Sequence, residues 1–220
     1  MISSHPLVII SFRCSPIIKT FLACPMSPPA PVDEPVSREG LTLAKVLRFL
    51  SLPFRPHLLE TYMAVNRFIE VPVDQLKTDG VQGVLIDADG TLGSHHVREF
   101  PPEVVAHVDK LVDSGLKVAI YTNACEDRFH QFKNISIVKN VPPKPDRRGF
   151  EMAMKNFLHL DDPNRVCMIG DNFLTDGGAR LAGMRFIHIR PVKGNESFIH
   201  ALTRELAFRC ARFYFPQSFH

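Results

Sequence analysis

The sequence predicts an α/β fold, a Rossmann-like doubly wound parallel sheet, on three observations. Short continuous apolar runs recur at Val84 to Ile86, Val118 to Tyr121 and Val166 to Ile169, as expected of strands buried on both faces. Segments with helical spacing separate them, and such alternation makes right-handed crossovers and a parallel sheet. Each run ends in polar residues, where open α/β sheets place their ligand crevice.

The elements follow in order. Leu41 to Val71 carries Leu43, Val46, Leu47, Leu50, Leu58, Leu59, Met63 and Phe68 among Lys45, Arg48, Arg55 and Arg67. It reads as a basic amphipathic helix broken at Pro53 and Pro56, which can lie on an anionic membrane or pack on the domain. The first sheet strand ends at Ile86. Pro101-Pro102 opens a helix whose Val104, Val105, Val108, Leu111 and Val112 keep helical spacing, and Gly115 stops it. After the strand Val118 to Tyr121 come a strand near Ile135 to Val138, a helix near Arg147 to Leu158, the strand Val166 to Ile169, a helix over Thr175 to Leu181 and a strand over Arg185 to Ile189. From Arg190 onward five basic residues face two acidic ones and accompany Phe208, Phe213, Tyr214 and Phe215. That composition suits a bilayer interface or a docked terminal helix. The expected organisation is a disordered or mis-started segment over 1–40, an amphipathic helical flank over 41–80, the catalytic domain over 81–192 and a carboxyl-terminal helix with a basic-aromatic tail over 193–220.

Composition agrees with a globular enzyme. The 220 residues are 45% hydrophobic and 22% charged, enough for one full core. The five cysteines, at 14, 24, 125, 167 and 210, are odd in number and scattered, so they read as reduced thiols. A net charge of +3 is too small to suggest nucleic acid, and none is expected as a partner. Leu7 to Phe12 is short for a signal peptide, Lys19 interrupts the next apolar run, and Ser27 to Pro35 is proline-rich. A cytoplasmic protein that touches the inner membrane face is expected.

Chemistry concentrates where the strands end. Asp87 and Asp89 follow directly on the first strand, so one carboxylate can attack an electrophile or bind a cation while the other shuttles a proton. An Asp-Gly pair after a strand is equally a turn. Thr122-Asn123 follows the second run, and Asp171 and Asp176 follow Val166 to Ile169. The first pair reads as phosphate-binding or as a strand-end turn, and the second as metal-binding and supporting acids or as helix caps. Lys144, between Pro143 and Pro145, reads as a rigid-loop cation or as a solvated lysine. His95 and His96 lie on the loop after Asp89 without a third ligand at zinc spacing, and are left outside the metal site.

Taken together, Asp87-x-Asp89-Gly90-Thr91, then Thr122-Asn123, then Lys144-Pro145, then Gly170-Asp171-Asn172-x-x-Thr175-Asp176 resemble the four motifs of the haloacid dehalogenase (HAD) superfamily of phosphotransferases. The resemblance implies a Mg²⁺-dependent phosphatase. It makes Asp87 the nucleophile that forms an aspartyl-phosphate, and Asp89 the acid that protonates the leaving oxygen and then activates water. Asp87, the backbone carbonyl of Asp89 and Asp171 would hold Mg²⁺, a hard cation suited to oxygen ligands. Thr122 and the amide of Asn123 would bind the phosphoryl oxygens, Lys144 would supply fixed charge, and Asp176 would support Lys144 or a metal-bound water.

Neither interval between these motifs has room for a cap domain, so the site should be open, as suits a phosphate carried on something large. Pro53-Phe54-Arg55-Pro56-His57-Leu58-Leu59, Asp74-Gln75-Leu76 and Gly80-Val81-Gln82-Gly83 extend the resemblance to the capless subfamily IIIA group of YqeG type, whose relatives include mitochondrial phosphatidylglycerophosphate phosphatases. Gly90-Thr91 and Asn123-Ala124 depart from that group's usual Asn-Thr and Asn-Asn. The implied substrate is phosphatidylglycerophosphate or another anionic membrane phospholipid, with peripheral membrane contact. A protein, a nucleic-acid end or a soluble metabolite is the alternative phosphate carrier, and an inactive binding scaffold the alternative class.

Overall fold

In the computed structural model, which describes residues 50–95, 97–124, 128–194 and 198–219, the apolar runs join one parallel sheet. Strand β1 spans Met63–Val65, β2 Gly83–Ile86, β3 Lys117–Ile120, β4 Ser136–Ile137, β5 Val166–Gly170 and β6 Arg185–Ile189. They lie in the order β1-β6-β5-β2-β3-β4, every neighbouring pair parallel. The chain thus works outward from β2 to one edge and then back across to the other, the doubly wound α/β pattern that the sequence predicts.

Helices cover both faces because alternate strand residues point to opposite sides. Leu85, Met168 and Phe186 face one core with Phe150 and Ala153 of helix α3 (Arg147–Phe157) and Ala207 and Phe208 of helix α4 (Phe198–Tyr214). Val84, Ile86, Cys167, Ile169 and Ile187 face the other core with Leu76 of α1 (Val73–Thr78) and Val108 and Leu111 of α2 (Pro102–Asp113). Full burial of each such Leu, Ile or Phe contributes roughly 1.5–3 kcal/mol, so both faces hold the sheet against its helices. Pro102 opens α2, where its missing N–H loses nothing, and Gly115 ends it with φ +88°. Asp146 caps α3, its carboxylate accepting from the Arg148 amide at 2.9 Å.

Three elements differ from expectation. Of the amphipathic helix expected from Leu41 and broken at Pro53 and Pro56, the described residues show only its helical end at Leu50 and Ser51; beyond it, 3₁₀ turns at Leu52–Phe54, Pro56–Leu59 and Phe68–Glu70 flank strand β1. Leu58, Leu59 and Phe68 are buried in the two cores, so that stripe serves packing, while Arg55 and Arg67 stay exposed. The helix expected over Thr175 to Leu181 is a 3₁₀ segment, Asp176–Ala182. Its Gly178 presses against Pro145 and Phe150, closer than any side chain would allow. The strand near Ile135 to Val138 shortens to the edge pair Ser136–Ile137. Residues 1–49, and with them the start of the expected amphipathic helix, lie outside the described residues, as do His96 and Cys125. Cys167 is buried and Cys210 half-buried, both as free thiols.

Candidate active site

Register brings the site together. Ile86 of β2 is level with Ile120 of β3 and Ile169 of β5, so the residues just past these strands emerge side by side at one edge of the sheet. Asp87, Thr122 and Asp171 are those residues, and all three are buried. Asp87, Asp171 and Asp176 each place a carboxylate oxygen within 4.8 Å of the others. Glycine makes this crowding possible: Gly90, at φ +82°, lies against the Asp171 carboxylate, and Gly170 lies against that of Asp176. A Cβ at either position would collide with a charged oxygen.

Lys144 sits among these acids. Its Nζ lies 2.7 Å from Asp87 Oδ1 and 2.5 Å from Asp176 Oδ1. The Lys144 backbone is clamped by the Asn123 side chain, which accepts from its N–H at 2.8 Å and donates to its carbonyl at 3.0 Å. The Tyr121 hydroxyl donates to Pro142 O at 2.7 Å and steadies the same loop. Asn123 therefore uses its side chain to position the lysine. Thr122 lies beside it, its hydroxyl accepting from the Ala124 amide at 3.2 Å. Asp176 is fully occupied, since its second oxygen accepts from the Asn172 amide at 3.1 Å.

Two arginines complete the site, and sequence reasoning missed both. Arg128, from the loop after β3, donates to Asp89 Oδ1 at 2.6 Å and to Val97 O at 3.1 Å. Arg204, in the middle of α4, donates to Asp171 Oδ2 at 2.7 Å. Both are buried. No spacing could reveal them, because they approach from a loop and a distant helix rather than from the strand ends.

The electrostatics favour a divalent cation. Among the described residues, Asp87, Asp89, Asp171 and Asp176 are gathered in a buried place with Lys144, Arg128 and Arg204. Burial and the nearby Asp176 push the Asp87 carboxyl up to about 7 despite Lys144. Burial and Asp176 likewise push Asp171 well above the usual carboxylate range, against the pull of Arg204. Burial alone would lower the Lys144 ammonium, but Asp176 and Asp87 outweigh it and raise it, so Lys144 stays charged. Hard carboxylate oxygens with raised pKa values fit Mg²⁺, which would relieve the repulsion that now favours protonation. Asp87 and the second oxygen of Asp171 are the open donors; Asp176 is held by Lys144 and Asn172. A cavity of about 780 Å³ opens at the other end of the sheet beside Gln82 and Lys117, and none of these acids lines it.

Among the described residues, a loop and α2 join β2 to β3, and β4, α3 and their loops join β3 to β5. No helix is long and apolar enough to cross a membrane among the described residues.

No protein-family model matches the chain. Among solved structures, the core domain of a "putative phosphoglycolate phosphatase" from Streptococcus pneumoniae TIGR4 aligns over 52% of this chain and 90% of that one, with 18% identity and a TM-score of 0.36. By sequence the chain is 28% identical over 149 residues to the "Probable phosphatase YqeG" of Bacillus subtilis (strain 168), spanning 66% of this chain and 85% of that protein. The protein is thus a homologue of a chain described as a phosphatase, and it carries its buried acids at the carboxyl edge of a doubly wound parallel sheet.

Proposed function

We propose that this protein is a Mg²⁺-dependent phosphomonoesterase of the capless subfamily IIIA group within the HAD superfamily, acting through an aspartyl-phosphate. The observation that carries the reading is the Asp87 carboxylate, at the end of β2, bridged to Asp176 by Lys144 and adjoining Asp171. Bound Mg²⁺, held by Asp87, Asp171 and the Asp89 carbonyl, would neutralise charge between nucleophile and phosphate. An Asp87 oxygen attacks phosphorus and the bond to the leaving oxygen breaks, with Asp89 giving that oxygen a proton. Water then attacks the aspartyl-phosphate as Asp89 takes its proton, releasing inorganic phosphate and restoring Asp87. Lys144 and Thr122 hold the phosphoryl oxygens in line, and Arg128 orients the Asp89 carboxyl. Retention of every one of these groups argues against an inactive scaffold.

Phosphatidylglycerophosphate is the preferred substrate. An open site admits a headgroup at a membrane, and α4 supplies a surface for one. Phe198, Ile199, Leu202, Leu206 and Phe213 are exposed along the side opposite its buried Ala207 and Ala211, with Arg209 among them. Aromatics beside arginine suit a bilayer interface. A soluble phosphomonoester is the second reading, favoured by the burial of Leu58, Leu59 and Phe68, which removes part of the expected membrane-facing flank.

Turnover of phosphatidylglycerophosphate in vesicles, compared with soluble monoesters, tests the proposal. Wild type should release phosphate with Mg²⁺, fastest from the lipid, and Asp87→Asn should lose far more than tenfold, about 1.4 kcal/mol of barrier, while folding normally. An Asp87→Asn enzyme within tenfold of wild type ends the nucleophile assignment. Equal or faster turnover of soluble monoesters moves the substrate to the second reading.

A further inference from the structure

Beside the catalytic cluster, at the same edge of the sheet, lies a cavity of about 110 Å³ whose chemistry the phosphatase reading does not use. Asn66, Arg190 and Arg212 line its polar side, and Phe208 and Phe219 its apolar side. At its base is His188 of β6, level with Gly170 and hence one residue from the position of Asp171. His188 is 1% exposed, and neither ring nitrogen has a partner in hydrogen-bond geometry, although the Asp171 backbone lies near enough to oppose the fall in its pKa. Buried imidazole nitrogens are usually hydrogen-bonded, so the cavity suits a ligand that supplies a partner. The ring is held in place by stacking on Phe173, with centroids 4.8 Å apart.

The charge in this cavity has one sign. Arg190 lies over the Phe208 ring at 4.6 Å, which fixes its guanidinium at the rim, and Arg212 reaches the rim from α4. No carboxylate is among the lining residues. A single water needs only about 10–15 Å³, so the space admits a tetrahedral oxyanion. Guanidinium groups present paired N–H donors that match phosphate or carboxylate geometry. Asn66 and a neutral imidazole N–H would supply the remaining donors.

Position connects this cavity to the catalytic centre. Asn66 and Arg190 also line an apolar cleft of about 470 Å³, which runs on to Thr91 and Gly93 of the loop carrying Asp89. The Val192 amide ties the two walls together by donating to Gly90 O at 2.8 Å. The cleft reaches Thr91, two residues beyond Asp89, so a molecule long enough to span from Asp87 to it would present a second charged group at Arg190.

We infer that Arg190, Arg212, Asn66 and His188 form a second anion-binding subsite, which takes a phosphate or carboxylate group carried by the substrate at a distance from the phosphate that is cleaved. Its use by a substrate rests on the phosphatase reading; the binding of an anion does not.

Phosphate titration of the metal-free full chain separates the two claims, because without metal the catalytic acids repel phosphate. Imidazole ¹H–¹³C signals would be followed, with the His188 resonance assigned through His188→Gln. Inorganic phosphate should shift the His188 signal saturably, and Arg190→Ala combined with Arg212→Ala should weaken that binding at least tenfold. A His188 signal that ignores phosphate, as for a cavity holding water alone, or one that responds equally in the double variant, overturns the subsite. In a second arm, kcat/KM would be compared for a monoester bearing a second phosphate and for phenyl phosphate. The double variant should lose at least tenfold of the preference for the doubly anionic substrate, and an unchanged preference overturns the substrate role. A wild type that hydrolyses neither compound nor phosphatidylglycerophosphate in vesicles defeats the phosphatase reading, whereas the titration still decides the subsite.

Discussion

At the scale of single residues, four acids of one type do different things because their partners differ. Asp176 spends one oxygen on Lys144 and the other on the Asn172 amide, so it acts as a support. Asp171 gives one oxygen to Arg204, and under the proposed function the other would meet the cation. Asp89 turns its carboxyl to Arg128, and under the proposed function its backbone carbonyl would meet the metal. Asp171→Ala should therefore weaken Mg²⁺ binding at least about tenfold, whereas Asp89→Asn should retain it and slow leaving-group protonation by about 10²-fold or more. Calorimetric Mg²⁺ titration of both variants, beside their rates at saturating Mg²⁺, checks this; equal affinities in the two would refute the division of roles. Asp87, Asp89, Asp171 and Lys144 could be read from the sequence because each follows a strand or sits in a rigid loop. Arg128 and Arg204 could not, since nothing near them in sequence marks them as different from surface arginines.

At the scale of elements, α4 is both a structural helix and part of the site. Ala207, Phe208 and Ala211 seat it on the sheet, and that seating carries Arg204 to Asp171. Breaking a buried pair by removing one partner typically costs about 3–5 kcal/mol, but Asp171 can escape part of this by protonating. Arg204→Ala should thus destabilise the metal-free protein by about 3 kcal/mol at pH 8 and clearly less at pH 5.5. Urea denaturation at the two pH values measures it, and an equal loss at both would show that the charge on Asp171 is not what Arg204 stabilises. Strand β1 marks where element-level reading fails. Its three residues, Met63–Val65, pair with Ile187, His188 and Ile189 of β6. A strand so short has too few residues to display a period, and Leu58 and Leu59 just before it fill a core from a 3₁₀ turn.

At the scale of the whole molecule, folding holds like charges together and a cation would release the repulsion. Asp87 has an ordinary value near 3.8 and about 7 when folded, so the native state binds a proton there that the unfolded chain gives up. That contribution to stability is complete below about pH 4 and is lost as pH rises through about 7. Asp171, shifted in the same direction, adds to it. Mg²⁺ must displace these protons, so its affinity should rise between pH 5 and 8, protons should be released on binding, and the rise in Tm with Mg²⁺ should be larger at pH 8 than at pH 5.5. Calorimetry in buffers of different ionisation enthalpy counts those protons; binding without proton release would mean that the acids are already ionised. His188, held near 3 by burial, acts in the opposite sense: its neutral form favours folding above pH 6.5, and that advantage is lost as pH falls towards 3.

Local information determined the doubly wound sheet, since apolar runs, helical spacing and turn residues act over a few neighbours. It also determined which residues stand at the strand ends, because a strand of known length has a known last residue. Tertiary structure alone decided which strand ends lie side by side. The order β6-β5-β2-β3 brings Asp171, Asp87 and Thr122 together, although they are separated by tens of residues in the chain. It decided too that α4 delivers Arg204 to Asp171 and stands over His188, which no local pattern encodes. The reason is physical: a carboxylate's protonation and its partners depend on the charges and solvent within a few ångströms, and folding, not sequence distance, sets those neighbours.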